Sequence, residues 1–203
     1  MSKDQSTYNH FYGRADNPSQ LPWHREEIPP FLEKAATGGK ALDIGCGTGV
    51  FSVYLAKRGM KVTSLDYMAK AIEFTRSHAA SNGVELEAVQ ADITQWKTHD
   101  RFDLILDSGC LHGLSDEQRV LYKQQLLTWL SERGSYILLH FGKRNFLDWS
   151  PVGPRRMRRA DIEGFFSPEL RLEDYQTEIR KGGAPGLLGS TTRIDHYWFR
   201  GGP

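Results

Sequence analysis

The segment from Lys40 to Phe51 constrains this chain more than any other, because an apolar strand pattern in it runs into three glycines at alternate positions. A helical pattern then begins at Val50. Glycines at such a junction leave backbone amides bare at a helix N-terminus, where a polar or anionic ligand group is favoured. The segment therefore predicts a ligand site at a strand-to-helix turn in the N-terminal third of the chain.

The spacing of the glycines narrows the class of ligand. A dinucleotide fingerprint places its third glycine three residues after the second, but that position holds Val50, and the third glycine is Gly49. A phosphate-binding P-loop would end in Gly-Lys-Ser or Gly-Lys-Thr, which is absent here. The motif Asp43-x-Gly45-x-Gly47-x-Gly49 instead resembles the signature of class I S-adenosylmethionine-dependent methyltransferases. The cofactor that this resemblance implies is S-adenosyl-L-methionine.

Length and composition limit the remaining classes. A chain of 203 residues suits one sizeable domain, in which we expect residues 1–34 to form an N-terminal arm or lid and residues 35–203 the methyltransferase domain. The net charge of +1 favours neither nucleic acid nor a membrane surface as partner. No apolar run approaches the about 20 residues of a membrane span, and the N-terminus lacks the apolar core of a signal peptide. We expect a cytoplasmic monomer or homodimer with a small-molecule substrate, two reduced cysteines and no metal site.

Apolar runs alternate with helical patterns from residue 40 to residue 141. Strands are predicted over 40–44, 61–65, 86–89, 102–106 and 136–141, and helices over 50–58, 68–81 and 115–131. Such alternation is typical of an α/β protein with a parallel sheet covered on both faces. After a helix predicted over 159–166, strands over 170–179 and 192–199 flank a glycine-rich turn and predict an antiparallel hairpin. With the resemblance, the pattern implies a Rossmann-like, doubly wound, seven-stranded and mainly parallel sheet with an antiparallel C-terminal hairpin.

Several aspartates lie at or near the predicted strand ends, where ligands bind in open parallel sheets. Asp66 follows Gly45 by 21 residues, and a carboxylate there can accept hydrogen bonds from two ribose hydroxyls. A single aspartate of this kind more often caps a helix or forms a turn, but three of them in register with the glycines favour cofactor binding. By resemblance, Asp43 helps to place the methionine end of the cofactor and Asp92 receives the adenine amino group. The complete cofactor-binding set that we predict is Trp23, Asp43, Gly45, Cys46, Gly47, Gly49, Asp66, Tyr67, Met68, Asp92, Ile93 and Asp107.

The segment Asp107 to Leu114 follows the fourth strand, which faces the transferring methyl group in this superfamily. Its Asp-x-Gly-Cys-Leu-His pattern, with Gln118, Arg119 and Tyr122 downstream and a later Gly153-Pro154-Arg155-Arg156 segment, resembles small-molecule methyltransferases of the thiopurine and tellurite-resistance-like group. His112 is the candidate general base, because an imidazole can take a proton near pH 7. A loop histidine bonded to backbone is the equally open alternative.

Other residues are candidates for the walls of the site. Trp23 resembles a tryptophan that relatives place over the cofactor, and Tyr8, Phe11 and Tyr12 could join it in an aromatic lid. His140, at the end of the fifth strand, is a further pocket candidate. Four arginines could favour an anionic or planar substrate, although a solvated loop is the commoner explanation for Arg155, Arg156, Arg158 and Arg159. Three apolar side chains could form a wall for an aromatic ring: Phe146, Trp149 and Met157.

Several classes of methyl acceptor are compatible with the sequence. The leading hypothesis is methyl transfer to an O, N or S atom of a small aromatic or heterocyclic molecule. A thiol or metalloid detoxification methyltransferase fits the same group resemblance. A module that binds S-adenosylmethionine without catalysis is a third reading, whereas Val50 and the lack of a second catalytic domain disfavour an NAD-dependent dehydrogenase.

Overall fold

The computed structural model describes residues 3–35, 37–145, 148, 155–181 and 191–201. Its α-helices are α1 (Lys3–Tyr12), α2 (Pro30–Lys34), α3 (Val50–Lys57), α4 (Ala69–Ser81), α5 (Asp116–Trp129) and α6 (Arg159–Phe166). Its strands are β1 (Lys40–Ile44), β2 (Lys61–Asp66), β3 (Glu87–Gln90), β4 (Phe102–Ser108), β5 (Leu130–Phe141), β6 (Leu170–Lys181) and β7 (Thr191–Gly201). Two short 3-10 helices span Pro18–Gln20 and Leu111–Gly113.

The seven strands form one sheet in the order β3-β2-β1-β4-β5-β7-β6. Strands β1 to β5 pair in parallel, and β7 pairs antiparallel with both β5 and β6. The predicted fold class is therefore confirmed, including the C-terminal hairpin. The chain moves outward from β1 to β3 on one side and from β4 to β5 on the other, where β7 lies between β5 and the edge strand β6. The strand order therefore reverses between β1 and β4. Ligands of open α/β sheets bind beyond the carboxyl ends of the strands at such a reversal.

Apolar side chains on the two faces of the sheet form separate cores. Along β1, Leu42 and Ile44 pack into the core beneath α5 and α6, whereas Ala41 packs into the core with α2 and α3. The alternation follows from the two-residue period of a strand, which sends successive side chains to opposite faces. Both faces are covered, as the continuous apolar strand patterns predict. Within the described residues, no helix is long and apolar enough to cross a membrane.

The junction between α5 and β5 differs from the prediction. Helix α5 ends at Trp129, and β5 begins directly at Leu130, whereas the sequence predicts a helix to residue 131, a stop at Gly134 and a strand from residue 136. Leu130 is buried and pairs with Phe102 of β4 across an irregularity in register. The polar residues that follow Leu130 hide this strand start from a pattern based on apolar runs, because only pairing with β4 makes the segment extended.

Candidate active site

The glycine-rich turn lies at the carboxyl end of β1, and all three of its glycines adopt positive φ angles. Two of them are required by packing. A Cβ on Gly49 would lie 2.7 Å from the Thr75 Cα in α4, and a Cβ on Gly45 would lie 3.2 Å from the Cys110 Cβ. A Cβ on Gly47 would meet only ordinary contacts, 3.4 Å from the Tyr12 hydroxyl. The turn thus brings α3, α4 and the loop after β4 close together and leaves the Gly47 backbone facing the N-terminal arm.

Asp66 ends β2 beside this turn, and its carboxylate is almost fully buried. Oδ2 accepts a hydrogen bond from the Gly47 amide at 3.1 Å, and Oδ1 accepts one from the Met68 amide at 2.9 Å. Burial raises the pKa of Asp66 to about 6, although these amide donors favour the charged form. Each carboxylate oxygen can still accept a further hydrogen bond.

Asp43 and Asp92 occupy different surroundings. Asp43 is buried in β1, where Oδ2 accepts a 2.5 Å bond from the Ser52 hydroxyl, and Ser64 donates to Ser52 in turn. Burial raises the pKa of Asp43 to about 7. Asp92 is half-buried after β3, and its Oδ1 accepts bonds from the amide and hydroxyl of Thr94 in a local turn. One of these acids therefore braces β1 against α3, and the other shapes the turn after β3.

Asp107 holds the loop after β4. Oδ1 accepts bonds from the Gly109 and Cys110 amides, and Oδ2 accepts bonds from the Leu111 amide and from the Tyr122 hydroxyl of α5. The carboxylate is fully buried, and burial raises its pKa to about 6. With four donors from its own chain, Asp107 positions the Gly109-to-Gly113 loop. Its predicted contact to the cofactor stays a prediction.

His112 lies in this loop and is a neighbour of His140 of β5. The two imidazole rings lie 6.0 Å apart between centroids in an edge-to-face arrangement, and Phe141 packs against the His112 ring at 4.9 Å. Burial and the nearby charge of Arg119 lower the pKa values of His112 and His140 to about 3 and about 4. Both rings are therefore neutral at pH 7. Buried Arg119 donates to the Leu111 carbonyl and to the Met157 sulfur.

An aromatic cluster from the N-terminal arm covers the opposite side of the glycine turn. Trp23 contacts Tyr8, Phe11 and Tyr12 with ring centroids 5.0–5.5 Å apart, and its indole nitrogen donates to the Tyr12 hydroxyl at 3.4 Å. Tyr8 also packs on Tyr67, next to Asp66. The predicted lid residues and the predicted cofactor residues of β2 are therefore neighbours. Sequence patterns indicate no such contact between segments more than 40 residues apart.

A cleft of about 730 Å³ opens between the end of α1 and the ends of β2 and β3. Its lining residues include Tyr12, Tyr67, Met68, Lys70 and Gln90. Small-molecule and cofactor sites commonly measure about 300–1,000 Å³ and combine apolar walls with a few polar groups. The cleft thus has the size and lining that a nucleoside requires, and its lining residue Tyr67 directly follows Asp66 in the chain.

Arg25 is a site residue that the sequence analysis missed. Its guanidinium donates to the Ser108 hydroxyl at the end of β4 at 2.8 Å and lies over the Phe51 ring of α3. Among the residues that the structure describes, Arg25 forms no ion pair with a carboxylate. Its neighbour His24 bonds to the Thr48 hydroxyl within the glycine turn. The position of Arg25 directly after Trp23 and His24 is the sequence feature from which its place in the site could have been predicted.

The arginines after β5 do not form a free cationic surface. Each of the four contacts a carboxylate, in the pairs Arg155–Asp116, Arg156–Asp148, Arg158–Asp161 and Arg159–Glu163. Paired charges of this kind attract an anionic substrate weakly, so the commoner explanation of a solvated loop fits better. Met157 lies against Arg119, whereas Phe146, Trp149, Gly153 and Pro154 lie outside the described residues. Within the described part of the chain, no cluster of three or more His, Cys, Asp or Glu could hold a metal ion.

Comparisons with known proteins identify the family. A family model described as "Methyltransferase domain" matches residues 41–134. The 2-heptyl-1-hydroxyquinolin-4(1H)-one methyltransferase of Mycobacteroides abscessus is 33% identical over 174 residues, which cover 79% of this chain and 75% of that protein. The ubiquinone biosynthesis O-methyltransferase of Aeromonas salmonicida is 33% identical over 196 residues, which cover 89% of this chain and 74% of that protein.

A solved structure has the same fold. The N-methyltransferase NodS of Bradyrhizobium japonicum, in complex with S-adenosyl-L-homocysteine, superposes with a TM-score of 0.72 at 19% identity and covers 98% of this chain and 99% of its own. At that identity the likeness establishes the fold, while the two relatives establish the family. The expected class and the cofactor S-adenosyl-L-methionine are confirmed. The chain belongs to the S-adenosylmethionine-dependent methyltransferases.

Proposed function

We propose that this enzyme methylates a heteroatom, by preference a hydroxyl oxygen, on a small aromatic or heterocyclic molecule. The observation that carries the proposal is the loop after β4, which Asp107 fixes so that Cys110 contacts Gly45 and His112 lies on the side of β5. The names of the two relatives, a hydroxyquinolone methyltransferase and an O-methyltransferase, support a ring hydroxyl as acceptor.

The residues at the carboxyl ends of β1 to β3 fit the cofactor, and we propose that they hold it. Asp66 accepts the ribose hydroxyls, the Gly47 backbone allows close approach, and Tyr67 and Met68 line the nucleoside cleft. Asp92 and Ile93 lie at the adenine end, and Asp43, Gly45, Cys46 and Gly49 maintain the shape of the turn. Asp107 acts on the cofactor through the loop that it positions.

The N-terminal arm supplies the remaining cofactor contacts in this proposal. Trp23 and its aromatic neighbours cover the turn and exclude water from it, so residues 1–34 act as the lid of the domain formed by residues 35–203. Arg25, which has no ion-pair partner among the described residues, receives the carboxylate of the cofactor's methionine end. Neutralising that carboxylate beside Ser108 directs the methyl group toward the β4 loop.

The chemistry is an in-line displacement at the methyl carbon, and the bound cofactor supplies an activated methyl group on a positively charged sulfur. The enzyme's task is to orient the acceptor and to exclude water. A general base is needed when the acceptor atom carries a proton at neutral pH. His112, placed by the Asp107 loop, and its neighbour His140 are both neutral at pH 7 and are the candidate imidazoles at the acceptor side.

A methyl-transfer panel tests this proposal. Purified enzyme is incubated with S-adenosyl-L-methionine and, in turn, a hydroxyquinolone, a catechol, an aryl thiol and an N-heterocycle, and products are identified by mass spectrometry. We expect methylated hydroxyl compounds to form fastest. Preference for the thiol or the ring nitrogen would refute oxygen as the acceptor. Failure to bind S-adenosylhomocysteine in a calorimetric titration would refute the cofactor assignments.

A further inference from the structure

Two buried imidazole nitrogens lie beside the loop after β4. Nδ1 of His112 and Nε2 of His140 both lack a hydrogen-bond partner among the described residues. An unpaired polar atom in a buried site costs about 1–3 kcal/mol, so a pair of them is retained where a ligand or a bound water completes the bonding. His140 itself is 2% exposed.

The backbone determines the tautomer of His140. Its Nδ1 lies 3.0 Å from the Phe141 carbonyl oxygen, which can only accept a hydrogen bond. Nδ1 of neutral His140 must therefore carry the proton, and Nε2 must present a lone pair. No such carbonyl constrains His112, whose Nδ1 can carry a proton and donate. The site thus offers one obligatory acceptor and one available donor.

A hydroxyl group matches this pair because its oxygen can donate one hydrogen bond and accept another. The two rings are direct neighbours, with their centroids 6.0 Å apart. An ether has no proton for Nε2, and an ammonium has no lone pair for the His112 donor. We infer that the acceptor hydroxyl binds between Nδ1 of His112 and Nε2 of His140, and that His140 takes its proton; this inference rests on the proposed function.

The charges around the pair act on both partners of this proton transfer. Arg119 of α5 lies near both rings, whereas Arg155 is paired with Asp116. Asp195 of β7 pairs in register with His140, but its carboxylate accepts bonds from Arg193, Tyr175 and Thr177. The charge of Arg119 lowers the free energy of an oxyanion held between the histidines and opposes a proton on Nε2 of His140. The negative charge that develops on the acceptor offsets that opposition, because it lies directly beside the protonated ring.

The step balances without a further reactant. The acceptor oxygen gives its proton to Nε2 of His140 and uses the freed electron pair to bond to the methyl carbon. The bond between the methyl carbon and sulfur breaks, and its electron pair remains on sulfur, which becomes neutral. The protonated imidazole returns its proton to solvent after the product leaves, because burial beside Arg119 disfavours the charged ring.

Nitrogen NMR of ¹⁵N-histidine-labelled enzyme tests the inference directly. With S-adenosylhomocysteine bound at pH 7, we expect the His140 ring in its Nδ1–H form. Saturating phenol should shift the Nε2 resonance of His140, whereas anisole, its methyl ether, should leave that resonance in place. An Nε2–H tautomer, no shift with phenol, or equal shifts with both compounds would each overturn the inference. No shift with phenol, or equal shifts with both compounds, would indicate that only a bound water completes the bonding of the two nitrogens.

Kinetics provide a second readout. His140→Gln should lower kcat/KM for the best hydroxyl acceptor by about 10²–10⁴-fold, with the Kd of S-adenosylhomocysteine within threefold of wild type. His196→Gln is the matched control, because His196 is an equally buried histidine on the opposite face of the same sheet with an unpartnered Nδ1. Activity within threefold for both variants would contradict the role of His140. Loss of S-adenosylhomocysteine binding by the wild-type enzyme would instead refute the proposed function.

Discussion

Replacement of Asp66 by asparagine isolates the link between the glycine turn and the cofactor. The carboxylate accepts the Gly47 and Met68 amides through different oxygens. Asparagine keeps the shape but turns one oxygen into an amide donor, which opposes a backbone donor and cannot accept a ribose hydroxyl. A hydrogen bond to a charged group contributes about 1.5–3 kcal/mol, so we expect a loss of about 10–150-fold in affinity for S-adenosylhomocysteine.

The same residue makes the affinity depend on pH. Free Asp66 has a pKa of about 6, raised by burial, and hydroxyl donors in the complex favour the charged carboxylate and lower that pKa. Protonation of the free enzyme therefore competes with binding, and affinity falls as the pH drops below about 6. At pH 5 about one-tenth of the free enzyme carries the ionised side chain, which corresponds to roughly tenfold weaker binding. Asp66→Asn should remove this pH dependence.

Isothermal titration calorimetry with S-adenosylhomocysteine at pH 7.5 and pH 5 measures both effects. Asp100→Asn is the control, because Asp100 pairs with Lys40 at the opposite edge of the sheet and should bind like wild type. Denaturant unfolding of each variant separates loss of fold from loss of affinity. If Asp66→Asn binds within twofold of wild type and keeps the pH dependence, Asp66 does not contact the ribose.

Three further variants test other parts of the site. Arg25→Gln should weaken S-adenosylhomocysteine binding about tenfold but leave 5′-methylthioadenosine, which lacks the amino-acid end, unaffected in calorimetry; equal losses would refute the carboxylate contact. Tyr122→Phe removes the donor to Asp107 and should lower the free energy of unfolding by about 1–3 kcal/mol in urea, and an unchanged value would contradict the bracing role. Gly49→Ala should lower the free energy of unfolding by about 1–2 kcal/mol through strain at a positive φ and by about 1–3 kcal/mol more through a clash with Thr75. Gly59→Ala has the same strain but open space around the new Cβ, so its Tm should be higher than that of Gly49→Ala.

Local patterns were sufficient for most of the fold. Strand β1 and helix α6 have the predicted bounds, and the other parallel strands before β5 differ by one or two residues, because glycine and asparagine stops and continuous apolar runs are local signals. The prediction of the α5–β5 junction was wrong for a physical reason. Ser131, Glu132 and Arg133 are polar, and they lie in the strand between Leu130 and Ser135, which pair with Phe102 and Leu104 of β4.

Some candidate functional residues can be recognised from the sequence, and others only from the tertiary structure. The glycine turn and Asp66 can be recognised from the sequence alone, because their spacing follows from one strand, one turn and the next strand. Arg25 reaches Ser108 across 83 positions, and His140 meets His112 across 28, because the parallel strands end at one edge of the sheet. The role of Asp107 also depended on packing, since Tyr122 of α5 approaches it only in the folded core. Sequence thus indicates which cofactor binds, whereas the tertiary contacts between distant segments decide which side chains meet beyond the carboxyl ends of the strands.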